Sequence, residues 1–300
     1  MTMSSGGGRY RTRTKKHPGD VPMSAHAKAL IAAVVATLYL FASVAFAAEI
    51  EVLWLGHSTV RITSVEGKVI VIDPFIRKNP MTPAKYKDLK ALGKVDLILV
   101  THGHGDHTDD LPALARLTSA KVVANYEYAN NLVAFGLLEG DKIIAMNKGG
   151  TVEPLGRGIK IHMVPAEHSS SVDLRNLGLQ SSQPNRPRHI AGGFPVGYVV
   201  ELENGFKIYH SGDTGVFGDM ALIRELYQPD LALVCIGGHF TMGPEGAAYA
   251  IRELIKPKQV IPIHYGTYPV INRTPAEFKE ALGDTPVEVL DVVPGQALKF

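Results

Sequence analysis

Three hundred residues, 45% hydrophobic and 20% charged, are the composition of a globular protein rather than a disordered one. The net charge of +2 is unevenly spread. Residues 1–47 carry Arg9, Arg11, Arg13, Lys15, Lys16 and Lys28 against one acid, Asp20, and the remainder is mildly acidic. That body lacks the clustered Lys and Arg of a nucleic-acid footprint, so no nucleic-acid partner is expected, and the single cysteine, Cys235, excludes an intramolecular disulfide framework.

In chain order, residues 1–47 read as an address. A polar, basic stretch precedes the apolar run Ala29–Phe46, and Ala45-Phe46-Ala47 supplies the small-residue pattern of a signal-peptidase site. Cleavage is expected between Ala47 and Ala48, which makes the protein periplasmic or secreted. The basic region is long, and Met23 would open a more ordinary signal. An uncleaved N-terminal anchor is the alternative, because the run approaches the ~18–20 residues that span a bilayer; membrane contact is expected through that segment alone. Arg9–Lys16 has no adjacent arginines and so no twin-arginine signal.

From Glu49 onward, apolar runs rich in Val and Ile alternate with helical patterns. Strands are expected at Glu51–Leu55, Thr59–Ser64, Lys68–Ile72, Val95–Val100, Lys121–Ala124, Ile159–Val164, Gly197–Glu201, Lys207–Tyr209, Leu231–Ile236, Val260–Ile263 and Val287–Leu290. Glu66-Gly67 and Asn204-Gly205 signal hairpins, so part of each sheet is antiparallel. Helices are expected at Asp110–Leu117, Glu127–Phe135, Met220–Leu226, Pro244–Ile255 and Pro275–Ala281, with Pro112, Pro244 and Pro275 near their starts. Interspersed strands and helices indicate α/β or α+β layers. The irregular stretch Ser169–Pro195 reads as a mobile loop.

Five of the apolar runs end in histidine or aspartate clusters. These are His102-Gly103-His104-Gly105-Asp106-His107, Glu167-His168, His210-Ser211-Gly212-Asp213, Gly237-Gly238-His239 and His264-Tyr265. Ligand sites gather on loops at strand ends, so the five clusters can share one cleft. Imidazole and carboxylate together suit zinc and neighbouring transition metals. Gly103 and Gly105 are expected to free the backbone for a sharp turn. One ion could then take His102 and His104, and a second Asp106 and His107. A catalytic zinc wants about three protein ligands and an open position. His168 and His264 would add one each, and Asp213 has the chemistry to bridge.

Other residues carry weaker signals. His239, after a strand and two glycines, could touch substrate or stabilise developing negative charge, or simply pack in its loop. His57 could hydrogen-bond behind the ligands, with a structural role favoured, and His210 could position Asp213. Cys235, inside an apolar run, is expected to pack as a small hydrophobe. Asp109 or Asp110 reads as an N-cap rather than a ligand. Tyr265 and Thr267 flank a ligand and could contact substrate.

These residues resemble the metallo-β-lactamase superfamily, whose signature is His-x-His-x-Asp-His followed by a distant His, a bridging Asp and a final His. Leu55-Gly56-His57-Ser58, Ile72-Asp73-Pro74-Phe75, Met163-Val164-Pro165-Ala166-Glu167-His168, Tyr209-His210-Ser211-Gly212-Asp213-Thr214-Gly215, Gly238-His239-Phe240-Thr241-Met242-Gly243-Pro244 and Ile261-Pro262-Ile263-His264-Tyr265 are similar to a branch known as metal-dependent hydrolases. That branch is similar to ascorbate-phosphate lactonases and, more distantly, to phospholipase-D-like members.

The resemblance spans roughly residues 50–300, so residues 48–300 are expected to form one metallo-hydrolase domain. It implies an α+β fold, a four-layer αββα sandwich, with metal one on His102, His104 and His168. Metal two would take Asp106, His107 and His264, with Asp213 bridging. The implied cofactors are two divalent ions, zinc first, with manganese or iron left open. The implied enzyme is a dinuclear hydrolase in which a metal-bridging hydroxide, oriented by Asp106, attacks an ester, lactone or phosphoester of a small molecule. The alternatives are a β-lactamase, a non-catalytic metal-binding protein of the same fold, and di-iron redox chemistry. The export signal and the long Ser169–Pro195 segment depart from the family pattern. Oligomeric state is not legible. N-terminal sequencing is expected to find the mature chain starting at Ala48 and the precursor at Met23; a mature chain retaining residues 29–47 would instead establish the anchor.

Overall fold

The computed structural model describes residues 49–175 and 188–300, together with Thr2, Arg11 and residues 24–26. The expected signal segment therefore lies almost wholly outside the described residues. Among the described residues no helix is long and apolar enough to cross a membrane.

Two seven-stranded mixed sheets form the body. The first joins β1 (Glu51–Trp54), β2 (Val60–Thr63), β3 (Val69–Ile72), β4 (Leu97–Leu99), β5 (Lys121–Asn125) and β6 (Ile143–Met146). The chain's last strand, β16 (Ala297–Lys299), pairs with β1 at its edge. The second runs β15-β14-β13-β12-β11-β8-β7, with β7 (Thr151–Val152), β8 (Lys160–Pro165), β11 (Val196–Glu201), β12 (Lys207–His210), β13 (Leu231–Cys235), β14 (Gln259–Ile263) and β15 (Glu288–Val289). The two Gly-containing turns do close antiparallel hairpins, β2–β3 and β11–β12. The strands β3 to β6 pair in parallel, as do β12 to β15. Parallel order sends their C-terminal ends to one edge, where the histidine clusters stand.

Alternation along the strands explains the layering. In β4, Leu97 and Leu99 join the core between the sheets, while Ile98 and Val100 face the helices Leu111–Thr118 and Tyr126–Ala134. In the second sheet, Leu231 and Leu233 turn inward; Ala232 and Val234 face the helices Met220–Tyr227, Pro244–Tyr249 and Pro275–Leu282. Three apolar cores thus separate four layers, the αββα sandwich. Pro112, Pro244 and Pro275 do occupy first-turn positions. The helix beginning at Pro244 passes into a π-helical stretch, Ala250–Ile255, before ending at left-handed Lys256.

Two expectations need correction. Asp110 precedes the helix Leu111–Thr118, but its carboxylate makes no cap bond. It accepts instead from Ile76 N–H (2.7 Å), Arg77 N–H (2.8 Å) and the Arg77 guanidinium, pinning the loop after β3. Asp109 pairs with Lys78 at 3.0 Å. The described ends of the Ser169–Pro195 segment are not irregular loop either. Ser171–Asp173 (β9) and His189–Ala191 (β10) form an antiparallel ribbon, and Val172 packs into the core outside the first sheet.

Asn125 anchors that ribbon. Its carbonyl oxygen accepts from Tyr128 N–H, capping the helix Tyr126–Ala134, while its amide donates to the carbonyls of Gly192 (2.9 Å) and Phe194 (3.0 Å). Replacing Asn125 with Ala removes a cap and two side-chain bonds, one buried and one part-buried, so urea denaturation is expected to show a loss of about 1–3 kcal/mol. Limited proteolysis is expected to cut faster near residues 188–194; an unchanged cleavage rate would mean that something else holds the ribbon.

Candidate metal centre

The candidate ligands leave the C-terminal ends of four strands. Residues 102–107 follow β4, His168 follows β8, Asp213 follows β12 and His264 follows β14. Backbone geometry marks the same edge. Among the described non-glycine residues with left-handed φ, Ser119, Gln228 and Lys256 end helices, where that conformation is common. The other four, His57, Asp73, His239 and His264, stand just beyond strands, with φ of +54°, +49°, +55° and +55°. Strain of this kind costs of order 1–3 kcal/mol per residue and gathers at functional sites.

The turn after β4 is built differently from expectation. Neither Gly103 nor Gly105 has a left-handed φ. Gly105 begins a single helical turn, Gly105–Thr108, that carries Asp106 and His107. Gly103 is needed for close approach, since a Cβ there would come within 2.8 Å of Val172 and 3.3 Å of the Ser171 carbonyl. The β9–β10 ribbon therefore sits directly on the ligand turn, and Ser170 Oγ accepts from Gly103 N–H at 3.1 Å.

A buried carboxylate, Asp73, sets the ring orientations. Its Oδ1 accepts from Thr101 N–H (2.8 Å), and its Oδ2 accepts from the Thr101 hydroxyl (2.6 Å) and from His107 Nδ1 (2.8 Å). The Thr101 proton is thereby spent, so His102 Nδ1, 3.0 Å from that hydroxyl oxygen, must be the donor. Both rings carry hydrogen on Nδ1, which leaves Nε2 as the inward-facing nitrogen available to a metal. Asp73 and Thr101 are supports that the ligand pattern did not identify; a carboxylate closing the apolar run Val69–Ile72 was the available signal.

Asp213 lies at the centre. Its Oδ2 is 3.0 Å from His264 Nε2, 3.4 Å from His107 Nε2, 3.6 Å from His168 Nε2 and 3.9 Å from His102 Nε2. Gly212, at φ +58°, is required before it, because a Cβ would meet the Val196 carbonyl at 2.7 Å and Thr101 at 2.9 Å. His210 holds this turn through backbone contacts rather than by touching Asp213. Its Nε2–H donates to the Ser58 carbonyl (3.0 Å) and its Nδ1 accepts from Gly212 N–H (3.1 Å).

Among the described residues, three sets of side chains bring ligand atoms within 4.8 Å of one another: His102, His104 and His168; His57, Asp106, His107 and His264; and His102, His107 and Asp213. All seven expected ligands fall in these sets. His57 joins them unexpectedly, with its Nε2 3.2 Å from Asp106 Oδ2. Electrostatics are those of lone pairs crowded around carboxylates. Burial drives His102 well below the usual histidine pKa, and burial with the neighbouring His107 charge brings His104 down to about 4. Burial disfavours charge on His107 and Asp213 as well. Yet Asp213 and Asp73 draw His107 well above its ordinary value, while His264 and His107 hold Asp213 well below.

Inside this cluster His107 Nε2, both His264 ring nitrogens and Asp213 Oδ1 are buried without a hydrogen-bond partner. Such orphans are costly unless something compensates them. Nitrogen lone pairs and carboxylate oxygens converging on one volume are the donor set of a divalent transition metal, so the residues fit.

Other expected residues stay outside. His239 is exposed, its ring edge-on to Phe240 at 4.3 Å, and it belongs to none of the three sets. Cys235 is fully buried as a core residue. Tyr265, partly buried, packs on Trp54 at 5.4 Å, and Thr267 is buried against His57. A cleft of about 380 Å³ opens beside Asp106, lined by Phe75, Lys78, Gly105, Asp109 and Tyr268.

The beta-lactamase superfamily domain matches residues 68–265. The chain belongs to that superfamily. Its relatives narrow the branch. The chain is 52% identical over 252 residues to a UPF0173 metal-dependent hydrolase of a Polaromonas species, covering 83% of this chain and 89% of the relative. Another, from Cupriavidus necator, is 51% identical over 256 residues, covering 85% and 87%. Among solved structures, Igni18, a metallo hydrolase from the archaeon Ignicoccus hospitalis, is 33% identical with a TM-score of 0.70, covering 84% of this chain and 98% of its own. An isothiocyanate hydrolase from Delia radicum gut bacteria, at 18% identity and TM-score 0.61 over 83% and 98%, shares the fold.

In this metal-dependent hydrolase, Asp73 is the support whose loss is most informative. Asp73→Asn keeps the volume but must turn an amide N–H toward one of three donors. Zinc affinity, measured against a competing chelator, is expected to fall about 10- to 100-fold; an unchanged affinity would remove Asp73 from the centre.

Proposed function

We propose that the protein is a dinuclear hydrolase acting on an ester, lactone or phosphoester bond of a small molecule. The supporting observation is the position of Asp213 Oδ2, within 4 Å of imidazole nitrogens from both sheets. On this reading His102, His104 and His168 would hold one ion. Asp106, His107 and His264 would hold the other, with Asp213 available to both. Two such ions, zinc by preference, would supply a hydroxide near neutral pH and polarise the oxygen of the scissile bond.

The chain's own groups do the rest. Asp106, whose other neighbour is His57, borders the cleft and is placed to orient the attacking water or hydroxide. Lys78 and Tyr268 line the entrance. His239, exposed on a left-handed backbone after β13, would meet negative charge developing on the substrate. Residues 1–47, basic then apolar, support action outside the cytoplasm.

Metal analysis followed by a panel of esters, lactones, phosphodiesters and nitrocefin tests the reading. Two ions per chain and hydrolysis within the first three classes are expected. Asp106→Ala and His107→Ala are each expected to lose one ion and nearly all turnover. Full activity in either variant, or two bound ions with no hydrolysis anywhere, would overturn the proposal.

A further inference from the structure

His57 lies in the same ligand-distance set as Asp106, His107 and His264, and its hydrogen bonds decide what it does there. Its Nε2 is 3.2 Å from Asp106 Oδ2 and its Nδ1 is 2.9 Å from Thr267 Oγ1. An ionised carboxylate only accepts. If Nε2 were bare, two acceptors would face each other in a buried place, so Nε2 carries the hydrogen. Nδ1 is then the acceptor, and the Thr267 hydroxyl donates to it. The other acceptors near that hydroxyl are poorer: Met81 sulfur at 3.2 Å and the Tyr265 carbonyl at 3.5 Å. A relay from Thr267 O–H through His57 to Asp106 leaves none of these groups unsatisfied.

The His57 backbone points the same way. Its carbonyl accepts from the Trp54 indole (2.9 Å) and from His264 N–H (3.0 Å). The residue is fully buried, with its ring 4.0 Å from that of His264. Gly56 and His57 both turn left-handed, and a Cβ on Gly56 would strike Met81 at 2.8 Å, so the turn has little freedom to relax. A single residue in the turn after β1, His57, therefore grips Asp106 by its side chain and His264 by its backbone.

We infer that His57 is a positioning residue that orients Asp106 through a Thr267–His57–Asp106 relay and ties it across the two sheets to His264. It is not a ligand itself. The inference rests on the reading of Asp106 and His264 as ligands of the second ion.

Stepwise zinc titration against a chromophoric chelator, with melting curves as a folding control, separates the possibilities. The wild-type protein is expected to bind two zinc ions; fewer would defeat the underlying reading. In His57→Ala the first ion is expected to bind as before and the second about 10- to 100-fold more weakly. His57→Gln places an amide N–H near the Nε2 position and is expected to restore the second affinity to within a few-fold. An unchanged second affinity in the alanine variant overturns the inference while leaving two-metal binding intact. Failure of glutamine to restore it also overturns the inference, because it would make the imidazole a ligand. Should the alanine variant fail to fold, Thr267→Val alone is expected to weaken the second ion several-fold, and no change there overturns the relay.

Discussion

A carboxylate at the junction of two sheets, ringed by imidazole nitrogens, cannot rest in a low-dielectric interior unless positive charge is shared with it. Asp213 is 3% exposed; one of its oxygens faces four histidines, and the other has no hydrogen-bond partner. Most of the surrounding architecture answers to this one group. Gly212 exists so that the chain can pass between Val196 and Thr101 on the way to it. His210 locks the preceding turn, and Asp73, directly for His107 and through Thr101 for His102, turns their Nε2 atoms toward it.

The sandwich supplies what a single sheet would not. Parallel order in β3–β6 and β12–β15 delivers strand C-termini to one edge from both sides of the central core. Ligands on opposite sheets must then be held in register, and the backbone bond from His264 N–H to the His57 carbonyl crosses that boundary. The four left-handed residues His57, Asp73, His239 and His264 show where the chain is bent away from its preferred conformations to achieve this. The β9–β10 ribbon packs over Gly103 and covers the ligand turn on one flank.

Strands that bury both faces announce themselves as continuous apolar runs, so β3, β4, β13 and β14 were legible from Val, Ile and Leu alone. The missed elements are those whose partners, not residues, make them strands. Ala297–Lys299 is largely exposed and pairs with β1 from the opposite end of the chain; Thr151–Val152 is two residues long; Ile143–Met146 follows a helix and turn with no alternation. The candidate ligand set was legible because six residues of one turn concentrate four donors. Most of its supports were not. The roles of Asp73, Thr101, His57 and Thr267 depend on which atom faces which, information that spacing does not carry. Gly103 was misread as a hinge because a demand for space and a demand for torsional freedom select the same residue.

Anomalous diffraction at the zinc edge from metal-loaded crystals addresses the central claim most directly. The account predicts two peaks flanking Asp213, one within bonding distance of His102, His104 and His168, the other of Asp106, His107 and His264. A single peak, or zinc bound away from Asp213, would contradict it.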